Sequence, residues 1–273
     1  MSSIDPFRVA ALIREVAEAE ILPRFRQLKS GDIREKSGPK DLVTVADIEA
    51  ERRLEPLLKD LLPGSVVVGE ESATADPSIL NRLAGDAPAW LVDPVDGTFN
   101  FSEGDERFCV MVALVRDGQT VASWIHDPVP NVTYMAEAGS GAWCGSQRLK
   151  VAEAVAPEEC VSFLNIYFFE EALRARVRER RSRLKHNDML RCAGHEYLRL
   201  AQGKAHTALY ARILPWDHAP GVLLHAEAGG HSSFIDGRPY STTIHRGGLL
   251  LAPDRENWRQ MAEFLGLRET PKS

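Results

Sequence analysis

The hydrophobic pattern near the amino terminus predicts two amphipathic helices. Asp5-Pro6 is typical of a helix start, and apolar residues then recur on one helical face. A second apolar stripe begins after Thr44 and ends at Pro63-Gly64, which stops a helix. Between the two stripes, Lys29 to Lys40 is rich in Gly, Lys and Ser and has no periodicity. We therefore predict a mobile loop there.

The pattern then changes to short apolar segments typical of strands. Segments 66–68 and 89–92 are apolar and end abruptly in acidic residues. Alternating apolar residues from Phe108 to Leu149, interrupted by turn residues, predict an antiparallel meander. The remaining predicted elements are a strand at 161–166, an arginine-rich helix, a helix after Gly194, a strand at 206–210, a helix after Asp217, a strand at 249–251, and a final helix capped by Asp254 and ending near Gly266.

These elements predict an α/β (α+β) protein with two closely packed parts. Residues 1–152 would form helices and an antiparallel sheet that carry most of the acidic clusters. Residues 153–273 would form a smaller α/β subdomain that carries Asp217. No internal repeat or low-complexity linker separates the two parts.

Composition narrows the class of protein. Thirty-nine acidic against 33 basic residues give a net charge of -6, which argues against nucleic acid or an anionic membrane as the main partner. The amino terminus does not resemble a signal peptide, and no apolar run is long enough to cross a bilayer. The four cysteines are widely spaced, which argues against a zinc site or a disulfide framework. A cytoplasmic enzyme fits these features.

The strongest chemical feature is the run Asp93-Pro94-Val95-Asp96-Gly97-Thr98. It places two carboxylates in one turn directly after an apolar strand. Oxygen ligands at that density suit Mg²⁺ better than zinc. Gly97 and Thr98 can offer unobstructed backbone amides to an anion. Simple turn chemistry is the alternative explanation for an isolated Asp-Gly pair.

Two further acidic clusters strengthen the metal-site hypothesis. Glu70 and Glu71 follow the strand at 66–68, as Asp93 follows its own strand, so one glutamate could face the same pocket. Asp217 lies at the start of a later helix. Read singly, the glutamates would be surface charge and Asp217 would be a helix N-cap.

Together these motifs resemble the inositol monophosphatase family of metal-dependent phosphatases. The matching segments occur in the family's order and extend from about residue 36 to about residue 230. They are Asp41-Leu42-Val43-Thr44 with Asp47, Gly69-Glu70-Glu71-Ser72, Trp90 to Phe101, Trp216-Asp217, and Glu227-Ala228-Gly229-Gly230.

The resemblance implies a role for each matching residue. Glu70, Asp93, Asp96 and Asp217, with the Val95 carbonyl, would bind two or three Mg²⁺ ions, for which Mn²⁺ could substitute. Gly97 and Thr98 would hold the phosphate of a small phosphorylated metabolite. Asp47 and the Thr98 hydroxyl would orient the attacking water, and Glu70 would help to position it. The resemblance also implies a layered αβαβα sandwich of the inositol monophosphatase and fructose-bisphosphatase type, a homodimer and inhibition by lithium.

The second half departs from the inositol-specific pattern. His195 and Glu196 follow Gly194 where inositol-hydrolysing members have small residues, and Arg212 lies where those members often place a glutamate. These four residues are candidate substrate contacts, although His195 could equally be a packing residue. The basic run from Arg174 to Lys185 is predicted to be a solvated helix face, which could still attract anionic substrates or RNA.

Several functions stay open at this point. A sugar or polyol phosphate is the favoured substrate, and histidinol phosphate, fructose bisphosphate, adenosine bisphosphates and NADP are alternatives. A regulatory scaffold acting on RNA or the transcription machinery is a non-enzymatic alternative, although the complete set of metal ligands argues against it. A serine hydrolase fits poorly because no G-x-S-x-G motif is present.

Overall fold

The computed structural model describes residues 4–38 and 41–267. The helices are α1 Pro6–Val16, α2 Val45–Leu61, α3 Glu70–Ala75, α4 Thr98–Ser102, α5 Glu171–Arg181, α6 Ala193–Ala201, α7 Pro215–Glu227 and α8 Arg255–Phe264. The first strands are β1 Ile33–Gly38, β2 Asp41–Thr44, β3 Val66–Gly69, β4 Ala89–Asp96, β5 Cys109–Arg116, β6 Gln119–Asp127 and β7 Val132–Glu137. They are followed by β8 Gly141–Cys144, β9 Gln147–Arg148, β10 Val161–Asn165, β11 His186–Asp188, β12 Thr207–Arg212, β13 His231–Phe234 and β14 Arg246–Ala252.

Three helix starts use the caps that the sequence predicts. The Asp5 side chain accepts a hydrogen bond from the Phe7 amide ahead of α1. Thr44 and Asp47 form a reciprocal capping box at the start of α2. Asp254 accepts a hydrogen bond from the Asn257 amide at the start of α8. Each cap satisfies backbone donors that the helix leaves unpaired, which fixes where the helix begins.

The larger sheet has seven strands in the order β3-β4-β5-β6-β7-β8-β9. From β4 to β9 the neighbours are antiparallel, which confirms the predicted meander. β3 and β4 are instead parallel, and Gly69 pairs with Val92. Because Gly69 and Val92 are partners in parallel strands, the residues that follow them, Glu70 and Asp93, lie side by side.

The smaller sheet has five strands in the order β11-β10-β12-β14-β13. β10 is parallel to β11 and β12, whereas β14 is antiparallel to β12 and β13. Strand β14 carries a continuous apolar run, Leu249 to Ala252, because helices cover both faces of the sheet there.

The hydrophobic core shows five layers. On the outer face of the larger sheet, α1 and α2 pack through Ile13 and Leu54 against Trp90 and its neighbours. The space between the two sheets is filled by α6 and α7, with Tyr197 and Leu224 at its centre. On the far face of the smaller sheet lie α5 and α8. This is the αβαβα sandwich that the family resemblance implies.

Two local predictions are wrong. The predicted loop Lys29–Lys40 contains β1, which pairs antiparallel with β2, while Pro39 and Lys40 lie outside the described residues. Backbone hydrogen bonds to β2 define this strand, so it forms without the alternation of apolar and polar residues that would have predicted it. Helix α7 begins at Pro215 with Leu214 as its cap, so Asp217 lies in the first turn and is not the cap.

Of the helices in residues 4–38 and 41–267, none is long and apolar enough to cross a membrane.

Candidate active site

Three carboxylates from separate elements meet at one point, and we call them the carboxylate trio. Glu70 begins α3, Asp93 lies in β4, and Asp217 lies in the first turn of α7. Each contributes an oxygen atom, and these atoms all lie within 4.8 Å of one another. The parallel pairing of β3 with β4 brings the first two together, and α7 delivers the third.

The electrostatics of the trio favour a bound cation. Burial raises the pKa of Asp93 well above its ordinary value, and the neighbouring charges of Glu70 and Asp96 raise it further. Burial and the Glu70 charge likewise raise the pKa of Asp217. Buried carboxylates at this spacing repel one another unless a positive charge lies between them. Hard oxygen donors in such a cluster fit Mg²⁺ well.

Lys36 already supplies one positive charge beside the trio. Its ammonium lies 2.9 Å from Glu70 Oε1 and also contacts Glu71, with only 8% of its side chain exposed. Burial alone would lower the pKa of Lys36, but the charges of the two glutamates outweigh it and raise the pKa. Burial and the Glu70 charge raise the pKa of Glu71 to about 8. Lys36 therefore compensates part of the negative charge at this edge of the sheet.

Behind Glu70, a buried glutamate positions α3. Glu51 on α2 accepts hydrogen bonds of 2.8 Å from the backbone amides of Glu71 and Ser72. A Cβ at Gly69 would lie 2.2 Å from the Glu51 carboxyl carbon, so a larger residue there would have to displace the Glu51 carboxylate. Glu51 thus caps the helix that begins with Glu70.

Asp47 and Thr98 form a hydrogen-bonded pair beside the trio. Thr98 Oγ1 lies 3.0 Å from Asp47 Oδ1 and 2.9 Å from the Val95 carbonyl oxygen, so its one proton can be donated to either. Asp47 Oδ2 accepts hydrogen bonds from the amide and hydroxyl of Thr44. Burial raises the pKa of Asp47 to about 6, although the Thr44 hydroxyl opposes the shift.

The turn between β4 and α4 depends on glycine. Gly97 has a φ of 90°, and a Cβ there would lie 2.8 Å from the Arg107 carbonyl oxygen. Asp93 Oδ1 accepts a hydrogen bond of 3.0 Å from the Val95 amide within the same turn. The backbone of the acidic run is therefore fixed by its own side chain and by glycine's conformational freedom.

Asp96 is held separately from the trio. Its Oδ2 atom accepts a hydrogen bond of 2.6 Å from the Gly194 amide and lies 3.0 Å from Cys192 Sγ and 3.7 Å from Cys109 Sγ. These contacts leave Oδ1 as the Asp96 oxygen that can face a cation in the cavity.

A cavity of about 1030 Å³ lies above these groups. Its lining includes all of the predicted metal and phosphate residues: Glu70, Asp93, Val95, Asp96, Gly97, Thr98 and Asp217. The lining also includes five arginines, which we call the basic wall: Arg174, Arg178, Arg181, Arg191 and Arg212. An acidic floor and a basic wall thus line the same cleft.

The predicted substrate residues lie in different places. Arg212 lines the cavity, with its guanidinium 5.5 Å from the centre of the Phe168 ring. Glu196 lines an adjoining cavity of about 220 Å³, where it accepts a hydrogen bond of 2.8 Å from Asn165. Burial raises the pKa of Glu196 to about 8. Gly194 acts through its bond to Asp96 rather than lining either cavity.

The His195 ring does not line either cavity. Its Nε2 atom lies 3.2 Å from the Phe108 carbonyl oxygen and 3.6 Å from Asp127 Oδ2. This placement disagrees with the predicted substrate contact and fits the packing alternative. Consecutive residues on a helix point in different directions, and here Glu196 lines the smaller cavity while His195 points to Phe108 and Asp127.

Sequence reasoning missed Lys36, Glu51 and the arginines of α5. Lys36 lies in the segment predicted to be a loop, and the sequence shows no sign of its contact with Glu70. The sequence predicts a solvated helix face for Arg174, Arg178 and Arg181 that could attract anionic substrates, and the structure adds that all three line the cavity. Their spacing of four and then three residues could have indicated a shared helix face.

Comparison with known proteins agrees with this geometry. A family model described as the inositol monophosphatase family matches residues 3–269. A Thermotoga maritima protein named fructose-1,6-bisphosphatase/inositol-1-monophosphatase is 32% identical over 208 residues, covering 76% of this chain and 77% of its own. A Bacillus subtilis inositol-1-monophosphatase is 29% identical, covering 77% of this chain and 78% of its own.

Solved structures show the same fold. An inositol monophosphatase of Thermotoga maritima superposes with a TM-score of 0.78 and 26% identity, covering 95% of this chain and 97% of that one. A structure described as an IMPase/NADP phosphatase with Mg²⁺ and phosphate has a TM-score of 0.79 at 17% identity, covering 97% of this chain and 95% of that one. On the match over nearly its whole length, this chain belongs to the inositol monophosphatase family and is a phosphoric monoester hydrolase.

Proposed function

We propose that this protein is a Mg²⁺-dependent phosphomonoesterase that hydrolyses a small phosphorylated metabolite by direct attack of water. The observation that carries the proposal is the carboxylate trio on the floor of the cavity, within a family that is metal-dependent. The Asp47–Thr98 pair beside the trio supplies the groups that can orient a water molecule. No covalent phospho-enzyme is needed.

The metal site would combine the trio with its neighbours. The proposed ligands for two or three Mg²⁺ ions, or for Mn²⁺ in their place, are Glu70, Asp93, Asp96, Asp217 and the Val95 carbonyl. When bound, the ions supply positive charge that acidifies a water molecule and stabilises the charge on the leaving oxygen. The IMPase/NADP phosphatase structure of the same fold was solved with Mg²⁺, which is consistent with Mg²⁺ as the metal here.

The chain's own groups would position phosphate and water. The amides of Gly97 and Thr98 lie where the cavity meets the acidic turn, and we assign them to the phosphate. Asp47 accepts the Thr98 proton through Oδ1, which leaves the hydroxyl oxygen to accept a hydrogen bond from the attacking water. Glu70, which also faces the cavity, would hold the same water from a second side.

The basic wall favours a substrate with a second anionic group. Five arginines line the cavity, and the described residues show no ion pair for Arg178, Arg181 or Arg191. Guanidinium groups bind phosphate or carboxylate through paired N–H donors. A sugar or polyol bisphosphate therefore fits better than histidinol phosphate, whose ammonium group would be repelled. A relative named as both fructose-1,6-bisphosphatase and inositol-1-monophosphatase supports this choice.

Matched substrates test the assignment. Phosphate release from fructose 1,6-bisphosphate would be compared with release from fructose 1-phosphate and inositol 1-phosphate. We expect Arg178→Gln to raise KM for the bisphosphate by about tenfold, the loss of about 1.4 kcal/mol of binding, with little change for the monophosphates. Arg176→Gln is the control, because Arg176 lies on the same helix but does not line the cavity. Equal effects of Arg178→Gln on all three substrates would refute the second-anion assignment.

Two family expectations can be tested on the same preparation. We predict a homodimer, measured by sedimentation, and inhibition of phosphate release by Li⁺.

A further inference from the structure

Two cysteines and one carboxylate converge on a single point beside the active site. The sulfur atoms of Cys109 and Cys192 lie 3.8 Å apart. They lie 3.7 Å and 3.0 Å, respectively, from the same oxygen, Asp96 Oδ2. Cys109 begins β5 and Cys192 is the cap of α6, so the fold brings together groups 83 residues apart. Both thiols are buried.

The spacing matches the edges of a tetrahedral metal site. Zn²⁺ binds sulfur at about 2.3 Å and carboxylate oxygen at about 2.1 Å, so tetrahedral geometry requires about 3.8 Å between sulfurs and about 3.6 Å between sulfur and oxygen. The sulfur–sulfur distance and the Cys109–Asp96 distance already meet these values. The Cys192–Asp96 distance is shorter by about half an ångström, which a small side-chain rotation can open.

We propose that Asp96, Cys109 and Cys192 form a binding site for a thiophilic divalent cation such as Zn²⁺, separate from the carboxylate trio. Sulfur ligands select such ions, whereas the all-oxygen trio suits Mg²⁺. Cys192 and Asp96 line the cavity of about 220 Å³, which provides access and room for a fourth ligand from solvent. Binding replaces the two thiol protons by one cation, and the protons leave to solvent.

Occupancy of this site would inhibit the enzyme. Asp96 is also a proposed Mg²⁺ ligand, so a cation bound to its Oδ2 atom and the two thiolates competes for the negative charge of the carboxylate whose Oδ1 atom would bind Mg²⁺. This consequence rests on the proposed function, whereas binding of the cation does not. The two parts of the proposal therefore need separate measurements.

Cadmium is a suitable probe for binding, because its bonds to thiolates absorb in the ultraviolet. The full chain, kept in excess Mg²⁺ with a phosphine reductant, would be titrated with Cd²⁺, dialysed and analysed for bound metal. We expect one thiolate-bound Cd²⁺ per chain, lost in Cys109→Ala and in Cys192→Ala. Cys160→Ala is the matched control, since Cys160 is also buried but bonds to the Ala156 carbonyl instead.

The ultraviolet absorption band of the Cd²⁺–thiolate bonds shows whether the site exists. A wild-type chain without the band, or a band of equal strength in Cys109→Ala, would overturn the site. Cys192 caps α6, so its variant is checked by circular dichroism, and Cys109→Ala tests the site if that variant does not fold. The band should persist in Asp93→Asn, which removes a proposed Mg²⁺ ligand but no thiol-site group. Cd²⁺ binding at the two thiols can therefore be measured even if the protein proves not to be a Mg²⁺-dependent phosphatase.

Inhibition is measured as phosphate release relative to each variant's own rate without Cd²⁺. Wild type and Cys160→Ala should lose half their activity at a Cd²⁺ concentration at least about tenfold lower than Cys109→Ala requires. Equal sensitivity of wild type and Cys109→Ala would show that Cd²⁺ acts elsewhere, and would overturn the competition for Asp96.

Discussion

Replacing Gly194 with alanine tests how the protein holds Asp96. The new Cβ would lie 2.2 Å from Cys109 Sγ, 3.1 Å from Met111 Sδ and 3.2 Å from Asp96 Oδ2. Ordinary contacts begin at about 3.5 Å, so helix α6 or strand β5 must move by about 1 Å. Overpacking of this kind costs about 1–3 kcal/mol, and alanine's higher helix propensity offsets at most about 1 kcal/mol. We expect a net loss of about 1–2 kcal/mol in the free energy of unfolding.

The same movement should reduce activity. The Gly194 amide donates its 2.6 Å hydrogen bond to Asp96, and a displaced helix would carry that donor away from the carboxylate. A hydrogen bond to a charged group contributes about 1.5–3 kcal/mol, and each 1.4 kcal/mol of lost transition-state stabilisation is a factor of ten in rate, so weakening this bond predicts roughly tenfold slower phosphate release. Urea denaturation and an initial-rate assay would measure the two effects on the same preparation.

A double variant isolates the cause. Cys109→Ala removes the sulfur nearest to the new Cβ, so combining it with Gly194→Ala should recover at least about 1 kcal/mol relative to additivity. Gly31→Ala is the control, because nothing lies within 4 Å of a Cβ built there. If Gly194→Ala costs the same with and without the Cys109 sulfur, the contact derived from the structure is not the source of the strain.

Two further predictions concern charges that the fold buries. Lys36→Met leaves Glu70 and Glu71 without their shared cation, so stability in the absence of Mg²⁺ should fall by about 3 kcal/mol and recover partly when Mg²⁺ is added. Equal losses in both conditions, measured by urea denaturation, would contradict this reasoning. Burial lowers the pKa of His225 from 6.5 to about 3, so its contribution to stability is complete above pH 6.5 and is lost as the pH falls toward 3. The stability difference between wild type and His225→Gln should therefore shrink by about 3 kcal/mol from pH 6.5 to pH 4, whereas a constant difference would rule it out.

Local signals predicted much of the fold and the acidic floor of the site. The capping box at Thr44 and the apolar segment before Asp93 are short-range patterns that do not depend on distant contacts. The caps and strands were predictable because turn and strand chemistry acts within a few residues. The meeting of Glu70, Asp93 and Asp217 was instead implied by the family resemblance, and the structure brings their carboxylate oxygens within 4.8 Å of one another.

The missed features depend on contacts between distant segments. Lys36 reaches Glu70 across 34 residues, and Cys109 meets Cys192 across 83. No repeating pattern in the sequence indicates that either pair of residues is in contact. The direction of His195 was also beyond prediction, because it is decided by the Phe108 carbonyl oxygen that lies beside α6. Pairwise geometry of this kind emerges only when the helices and sheets have packed.

We propose that the carboxylate trio supports Mg²⁺-dependent hydrolysis. The most direct measurement is phosphate release from fructose 1,6-bisphosphate and inositol 1-phosphate, with and without Mg²⁺, by wild type, Asp93→Asn and the control Asp86→Asn, whose aspartate is exposed. We predict release that requires Mg²⁺ in wild type and Asp86→Asn and falls at least about 100-fold in a folded Asp93→Asn. Release that persists without Mg²⁺, or that Asp93→Asn leaves unchanged, would contradict the account.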